Sequence, residues 1–227
     1  MSQALVESAA MTRPTRALAP FIAYLVAFHA AWTAWVYFLY PHMRNLGEAT
    51  FIYALVNISV RLLLWVVPVW LYLRYVDGVG PADYLKLSTN WRRGIVVGLA
   101  VTFLNFVASA IRSGGPDIDV HALTWNNVLS TSILVGFIEE VPYRGFMLQK
   151  LQERMGLWPA FLISSLLFLG IHFPGWILLR TFDPAVAVSV FIFGLVMGVV
   201  FHYSRSLWAV VIAHSLNDFL SVVVFRH

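Results

Sequence analysis

The sequence predicts an all-α, polytopic membrane bundle of about seven transmembrane helices, and seven to eight helices fit its pattern. Of the 227 residues, 60% are hydrophobic and only 11% are charged, whereas a soluble domain usually carries about 25% charged residues. The apolar residues also form long runs, close to the roughly 20 residues that cross a bilayer as a helix. Lipid is therefore the expected solvent for most of this surface.

Seven apolar segments account for the predicted spans. They are Pro20–Tyr40, Phe51–Leu73, Gly94–Ile111, Val128–Leu148, Leu157–Phe173, Pro184–Phe201 and Leu207–Phe225. The first is longer than the apolar core of a signal peptide, which has about 7–15 residues, so we interpret it as an uncleaved span. The fifth should end near His172, because Pro174 and Gly175 follow and both residue types break helices. Residues 176–179 would then form a re-entrant or interfacial extension.

The distribution of Lys and Arg predicts the orientation, because these residues concentrate in cytoplasmic loops. With a cytoplasmic N-terminus, nine basic residues fall inside: Arg13, Arg16, Arg74, Lys86, Arg92, Arg93, Lys150, Arg154 and Arg205. Four fall outside: Arg44, Arg112, Arg180 and Arg226. We therefore expect residues 1–17 to be a cytoplasmic tail and residues 18–227 to be one membrane-embedded domain, in a membrane that we take to be a prokaryotic cytoplasmic membrane.

Composition also excludes several functions. There is no cysteine, so disulfides and thiolate metal sites are ruled out. The net charge of +4 comes from basic residues scattered over short loops, without a run of five or six. Such a pattern indicates membrane topology rather than a nucleic-acid partner. The expected partners are the lipid bilayer and a peptide or protein substrate in it.

Two adjacent carboxylates in the fourth predicted span are the first candidates for chemistry. Charged groups inside a span cost free energy, so each one needs a reason. Glu140 and Arg144 are four residues apart, on one helical face, and can form a supporting ion pair. Glu139 lies about 100° around the helix and has no partner nearby in sequence. It is therefore the candidate general base.

Two histidines on other predicted spans are placed to join Glu139. Counted along helices from the cytoplasmic side, Glu139, His172 and His214 lie at depths of roughly 15, 22 and 11 Å, which permits a shared site. Asp218 follows His214 by four residues, on the same face, and could orient it. Asn217 is better explained as a helix–helix hydrogen-bonding residue.

Two further features of the spans have structural interpretations. Arg61, in the second span, shows no partner in the sequence and either snorkels or meets an acid on another helix. Gly194-x-x-x-Gly198 is the small-residue pattern of closely packed membrane helices and is given no chemical role.

Three ordered motifs resemble those of the CPBP family, which includes the CAAX prenyl endoproteases and the bacteriocin-processing or self-immunity proteins called Abi proteins. The motifs are Glu139-Glu140-x-x-x-Arg144, Phe168-x-x-x-His172 and His214-x-x-x-Asp218. Each stands on a predicted span, and the resemblance covers roughly residues 130–220. It implies a helical intramembrane endopeptidase with a protease-like core at about residues 124–222.

The resemblance also implies roles for these residues. Glu139 with His172 would activate a water that attacks the scissile carbonyl, and His214 with Asp218 would stabilise the oxyanion or complete the site. Members often have asparagine at the last position, so Asp218 is a departure. An aspartate donates to an oxyanion only when protonated, so orienting His214 is the simpler role. Asn217 could donate instead, although it lies on a different part of the helix surface.

The sequence leaves the cofactor undecided. One glutamate and two histidines, here Glu139, His172 and His214, are a legitimate zinc ligand set with an open position for water. The family is described both as metalloprotease-like and as glutamate-dependent without metal, and the spacing here is not His-Glu-x-x-His. We favour no tightly bound metal over a divalent ion such as zinc, since Glu139 serves better as a base than as a ligand.

Three functions compete at this stage. An intramembrane protease requires Glu139 for activity but not for folding. A non-catalytic immunity or scaffold protein of the same fold would tolerate its replacement. A small proton-coupled transporter would also use intramembrane Glu and His, but the sequence shows no inverted repeat and no paired broken helices. Intact motifs favour the protease, whose substrate, prenylated or not, the sequence does not reveal.

Overall fold

The computed structural model describes residues 18–225, and in that range it is an all-α bundle. Six of its helices are long and apolar enough to cross a membrane. They are α1 Leu18–Leu46, α2 Phe51–Val76, α3 Trp91–Ser113, α5 Leu157–Leu179, α6 Pro184–Ser204 and α7 Leu207–Val224. The predicted fold class is confirmed, and the chain is an integral membrane protein. The predicted cytoplasmic tail, residues 1–17, lies outside the described residues.

The fourth predicted span is helical but differs from the other six. This helix, α4, runs over residues 126–152 with an interruption at Leu134, and consists of Asn126–Ile133, Val135–Glu140, Val141–Leu148 and Gln149–Gln152. Because of its charged residues, α4 is not among the six helices that are apolar enough to cross a membrane. Nearly every residue from 135 to 148 is buried by the neighbouring helices. The protein therefore surrounds α4 and supplies the polar partners that lipid cannot.

Prolines in the spans adjoin π-helical turns. Pro142 opens the π-helical segment Val141–Leu148 in α4. Pro68 and Pro41 come directly after the π-helical turns Leu62–Val66 and Trp35–Leu39. A proline lacks the N–H for the regular helical bond and its ring clashes with the carbonyl one turn earlier. A wider turn accommodates both defects, so these helices continue where a regular α-helix would kink or stop.

One expected helix end was wrong. The fifth span does not stop at His172; after a turn at residues 171–172 the helix resumes as Phe173–Leu179. Pro174 stands in the first turn of this second part, where a missing N–H costs nothing. The turn leaves His172 at a break in α5 instead of at its end.

The remaining connections are short. Between α2 and α3 the chain forms the short helix Pro81–Tyr84. The α3–α4 connection contains the 3₁₀ turn Val120–Ala122 and an isolated bridge from Asp117 to Phe225. Both features tie the ends of neighbouring helices together.

Helix α7 lies at the centre of the bundle, packed on α3, α4 and α6. Glycines bring the helix backbones together: a Cβ added at Gly98 of α3 would lie 2.8 Å from the Ala209 carbonyl oxygen of α7. The α5–α6 contact is similar, because a Cβ at Gly194 would lie 3.1 Å from the Ser165 side chain. The small-residue pattern thus packs helices within the chain, as predicted.

Candidate active site

Glu140 lies at the centre of a buried ion-pair network. Its side chain is fully buried, and its Oε1 lies 3.1 Å from Arg144 Nη1 and 2.6 Å from His214 Nδ1. Arg144 also donates to the Gly194 carbonyl oxygen at 3.2 Å, and its guanidinium lies 4.4 Å from the centre of the Phe168 ring. The predicted Glu140–Arg144 pair is thus present, and it fixes α4 against α5, α6 and α7. Such a network orients the neighbouring groups more than it adds stability.

Glu139 has a different set of partners, although it is the next residue. Its Oε1 accepts a hydrogen bond from Arg61 Nη2 of α2, and its Oε2 lies 3.9 Å from His214 Nε2. Arg61 is also held by the Ser130 carbonyl oxygen at 3.5 Å and lies 5.5 Å from the Trp65 ring centre. Sequence reasoning noted Arg61 but could not assign its partner, because 78 residues separate the two side chains.

The hydrogen bond of His172 fixes its tautomer. Nδ1 lies 2.8 Å from the carbonyl oxygen of Phe168. A carbonyl only accepts, so Nδ1 carries a proton, and Nε2 of the neutral ring keeps its lone pair. The ring packs against Phe168 and Trp176, with centroid distances of 5.0 and 5.4 Å. His172 therefore offers one oriented, basic nitrogen at the break in α5.

His214 is held between three carboxylates. Besides its bond to Glu140, its Nε2 lies 3.7 Å from Asp218 Oδ2 and 3.9 Å from Glu139 Oε2. Phe193 packs on the ring with a centroid distance of 4.8 Å. Asp218 is thus placed on the Nε2 side of His214, the same-face arrangement that the four-residue spacing predicts.

Asn217 connects α7 to α3. Its Oδ1 accepts from Asn105 Nδ2 at 2.6 Å, and its Nδ2 donates to Asp218 Oδ1 at 3.2 Å. The first contact is the helix–helix hydrogen bond expected for this residue. The second orients Asp218. Sequence reasoning did not include Asn105, whose only signal was one amide in an otherwise apolar stretch of α3.

One cavity of about 810 Å³ brings the candidate residues together. Its lining includes Glu139, His172, His214, Asn217 and Asp218, together with the polar side chains Thr102, Asn105, Arg112, Ser189 and Ser221. Apolar side chains of α6 form much of the remaining lining of the cavity, among them Val190, Phe193, Val196 and Met197. The cavity thus joins a patch of acid–base groups to an apolar surface inside the membrane helices.

A metal site at these residues would need at least three ligands close together. In the part of the chain that the structure describes, no three His, Asp or Glu side chains are grouped so as to hold a metal ion. Glu139, which the sequence analysis assigned as a base rather than a ligand, contacts the guanidinium of Arg61 through Oε1. Among the described residues, Glu139, His172 and His214 are therefore not arranged as a metal ligand set.

These features define a class, an integral membrane protein with a Glu–His site enclosed by its own helices. Residues 121–220 match the family model described as type II CAAX prenyl endopeptidase Rce1-like. The match covers 100 of the 227 residues and supports the resemblance to the CPBP family that the motifs carry. Searches of curated proteins and of solved structures returned no match. Arg61 and Asn105 both lie outside the matched residues.

Proposed function

We propose that this protein is an intramembrane endopeptidase that hydrolyses a peptide bond with a water molecule activated by Glu139 and His172. The main support for this proposal is that Glu139, His172, His214 and Asp218 line one cavity between membrane helices. The Rce1-like match over residues 121–220 supports the same activity. It also supports a substrate whose C-terminal segment carries a prenyl group.

Water activation uses the free oxygen of Glu139. Arg61 engages Oε1, so Oε2 is the basic atom on the cavity side. His172 Nε2 accepts one hydrogen of the water and orients it, while Glu139 Oε2 takes the other proton. The water oxygen then bonds to the scissile carbonyl carbon, and the carbonyl electron pair moves to its oxygen, giving a tetrahedral oxyanion.

His214 is the proposed donor to this oxyanion. Its Nδ1–H donates to Glu140, which fixes the ring plane and directs Nε2 into the cavity. With Nε2 also protonated, its N–H can donate to the oxyanion. Asp218 Oδ2 lies 3.7 Å from this nitrogen and would stabilise its protonated form electrostatically. Collapse of the intermediate breaks the C–N bond, and the proton on Glu139 passes to the departing amine nitrogen.

The test is cleavage of membrane-anchored reporter peptides by purified protein. The panel contains matched C-terminal peptides with and without a prenyl group, each incubated with wild type, Glu139→Gln and Glu48→Gln, and each with and without a strong chelator. Glu48 is a matched control, because it is half exposed and, in the part of the chain that the structure describes, forms an ion pair with Arg44 alone. Cleavage by wild type and Glu48→Gln, lost in Glu139→Gln, is the expected result.

Other outcomes change the proposal in defined ways. Loss of cleavage with the chelator would reassign water activation to a metal. Equal cleavage by Glu139→Gln and wild type would remove Glu139 from the chemistry. No cleavage of any peptide by folded, monodisperse wild type would favour the non-catalytic immunity or scaffold function.

A further inference from the structure

A second, smaller cavity lies away from the candidate active site. It has a volume of about 260 Å³ and forms where the α2–α3 connection, the end of α4 and the α6–α7 connection meet. Its polar lining consists of Lys86, Thr89, Gln149, Gln152, His202 and Arg205. No Asp or Glu lines it. Such a lining consists mainly of hydrogen-bond donors and carries positive charge, which suits an anion.

The two fixed cations of this cavity occupy uncommon backbone conformations. Lys86 has φ 60° and Arg205 has φ 52°, in the left-handed region that L-residues other than Gly, Asn and Asp rarely adopt. The two connections are joined by a hydrogen bond from the Leu207 N–H to the Lys86 carbonyl oxygen, 3.2 Å long. The structure thus brings the two basic residues to one cavity in backbone conformations that cost free energy.

One donor in the lining has no acceptor. Gln152 Nε2 is buried and makes no hydrogen bond among the described residues. Gln149 Nε2, by contrast, donates to the carbonyl oxygens of Tyr84 and Gly145. A buried amide without an acceptor is uncommon in a native protein and calls for a missing partner. An anionic oxygen in the cavity would accept from Gln152.

The acidic side chains nearby in sequence are paired elsewhere. Glu153 contacts Lys150 at 3.2 Å and accepts from the Tyr84 hydroxyl at 2.8 Å. Asp83 accepts from Ser88. Within residues 18–225, neither Lys86 nor Arg205 forms an ion pair. Their charge is therefore left for a ligand from outside the chain.

We propose that this cavity binds a phosphate group through Lys86, Arg205 and the Gln152 amide. The cavity lies at the end of the bundle where the membrane helices reach the aqueous interface, a depth at which lipid phosphates are abundant. Basic pockets between membrane helices at this level bind anionic headgroups. The phosphate comes either from an anionic lipid or from a soluble phosphate compound, and the two sources share the same contacts.

The test compares two double variants that lose the same charge. Lys86→Asn with Arg205→Asn removes both cations from the cavity, and asparagine tolerates the left-handed backbone that these positions require. Arg92→Gln with Arg93→Gln removes two cations from the first turn of α3, at the same end of the bundle but outside the cavity lining. Binding is measured on delipidated full-length protein with phosphatidylglycerol, with phosphatidylcholine and with inorganic phosphate, by titration and thermal shift.

The expected result is saturable binding by wild type and by the α3 variant, weakened about thirtyfold in the cavity variant. Binding of phosphatidylglycerol but not phosphatidylcholine identifies the lipid as the source, and binding of inorganic phosphate with the same variant pattern identifies a soluble one. Equal weakening of binding in both double variants would show that general surface charge attracts the anion, and would overturn the proposed site. The absence of binding by wild type to both phosphatidylglycerol and phosphate would overturn it as well.

Discussion

The contact between Arg61 and Glu139 allows a sharp test of how the site is held. Both side chains are nearly buried, with 12% and 9% of their surface exposed. Removing one partner of a buried pair leaves an uncompensated charge and typically costs about 3–5 kcal/mol. In Arg61→Gln, Glu139 keeps one ion-pair partner among residues 18–225, His214 at 3.9 Å, so we expect a loss of about 3 kcal/mol in the free energy of unfolding. In a domain of this size that loss lowers the Tm by about 10 °C.

The double variant separates a true pair from two independent effects. Arg61→Gln with Glu139→Gln removes both charges, so the loss should be smaller than the sum of the single losses by about 2 kcal/mol. The assay is thermal unfolding of the four proteins in one detergent. The surface pair Arg44–Glu48, about half exposed, is the matched control, and its coupling should be below about 1 kcal/mol. Additive losses at Arg61 and Glu139 would refute the pairing.

The same variants test whether Arg61 positions the catalytic group. Arg61 holds Oε1 of Glu139 and does not line the cavity. Its loss should therefore lower kcat and leave KM nearly unchanged, because Oε2 is no longer directed at the water while the peptide-binding surface is intact. Arg61→Lys should recover part of kcat. A higher KM with unchanged kcat would place Arg61 in substrate binding instead.

Three further predictions use other parts of the structure. Asp218→Asn should keep cleavage within about threefold of wild type, because Asp218 Oδ2 lies 3.7 Å from His214 Nε2, beyond hydrogen-bond distance, and an amide has the same shape. A tenfold loss of kcat would show that the negative charge is required. Gly98→Ala should lower the free energy of unfolding by about 1–3 kcal/mol through overpacking, whereas Gly170→Ala, with open space around it, should not. The chain has no cysteine, so a single introduced cysteine reports the topology. Thr89→Cys should be labelled by an impermeant maleimide only from the cytoplasmic side, and Ile118→Cys only from the outside. The reverse pattern would show that the predicted topology is inverted.

The sequence predicts those contacts of the site that lie within one helix. The pair Glu140 and Arg144, and the placement of His214 over Asp218, follow from four-residue spacing alone. Both pairs depend on helix geometry, which is local. The spans could also be placed from hydropathy, because lipid imposes the same requirement on each of them.

The contacts between helices could not be predicted. Arg61 meets Glu139, and Asn105 meets Asn217, only because of how α2, α3, α4 and α7 pack. Nothing in a single sequence specifies those crossings. An extension of α5 at residues 176–179 was expected, but its start as a regular helix at Phe173 was not, because the proline stands in the first turn of a new helical piece and the position of the break was not evident from the sequence.

The charges of α4 also bear on how the protein is made. A single charged residue at the centre of a span raises the cost of entering the bilayer by about 2.5–3.5 kcal/mol on insertion scales, and Glu139, Glu140 and Arg144 lie within six residues. Residues 135–148, which carry these charges, are nearly all buried by the rest of the bundle. Helix α4 is therefore a poor substrate for membrane insertion by itself. We therefore expect its integration during biosynthesis to depend on α2, which precedes it in the chain and carries Arg61, and to be complete when α7 brings His214 to Glu140.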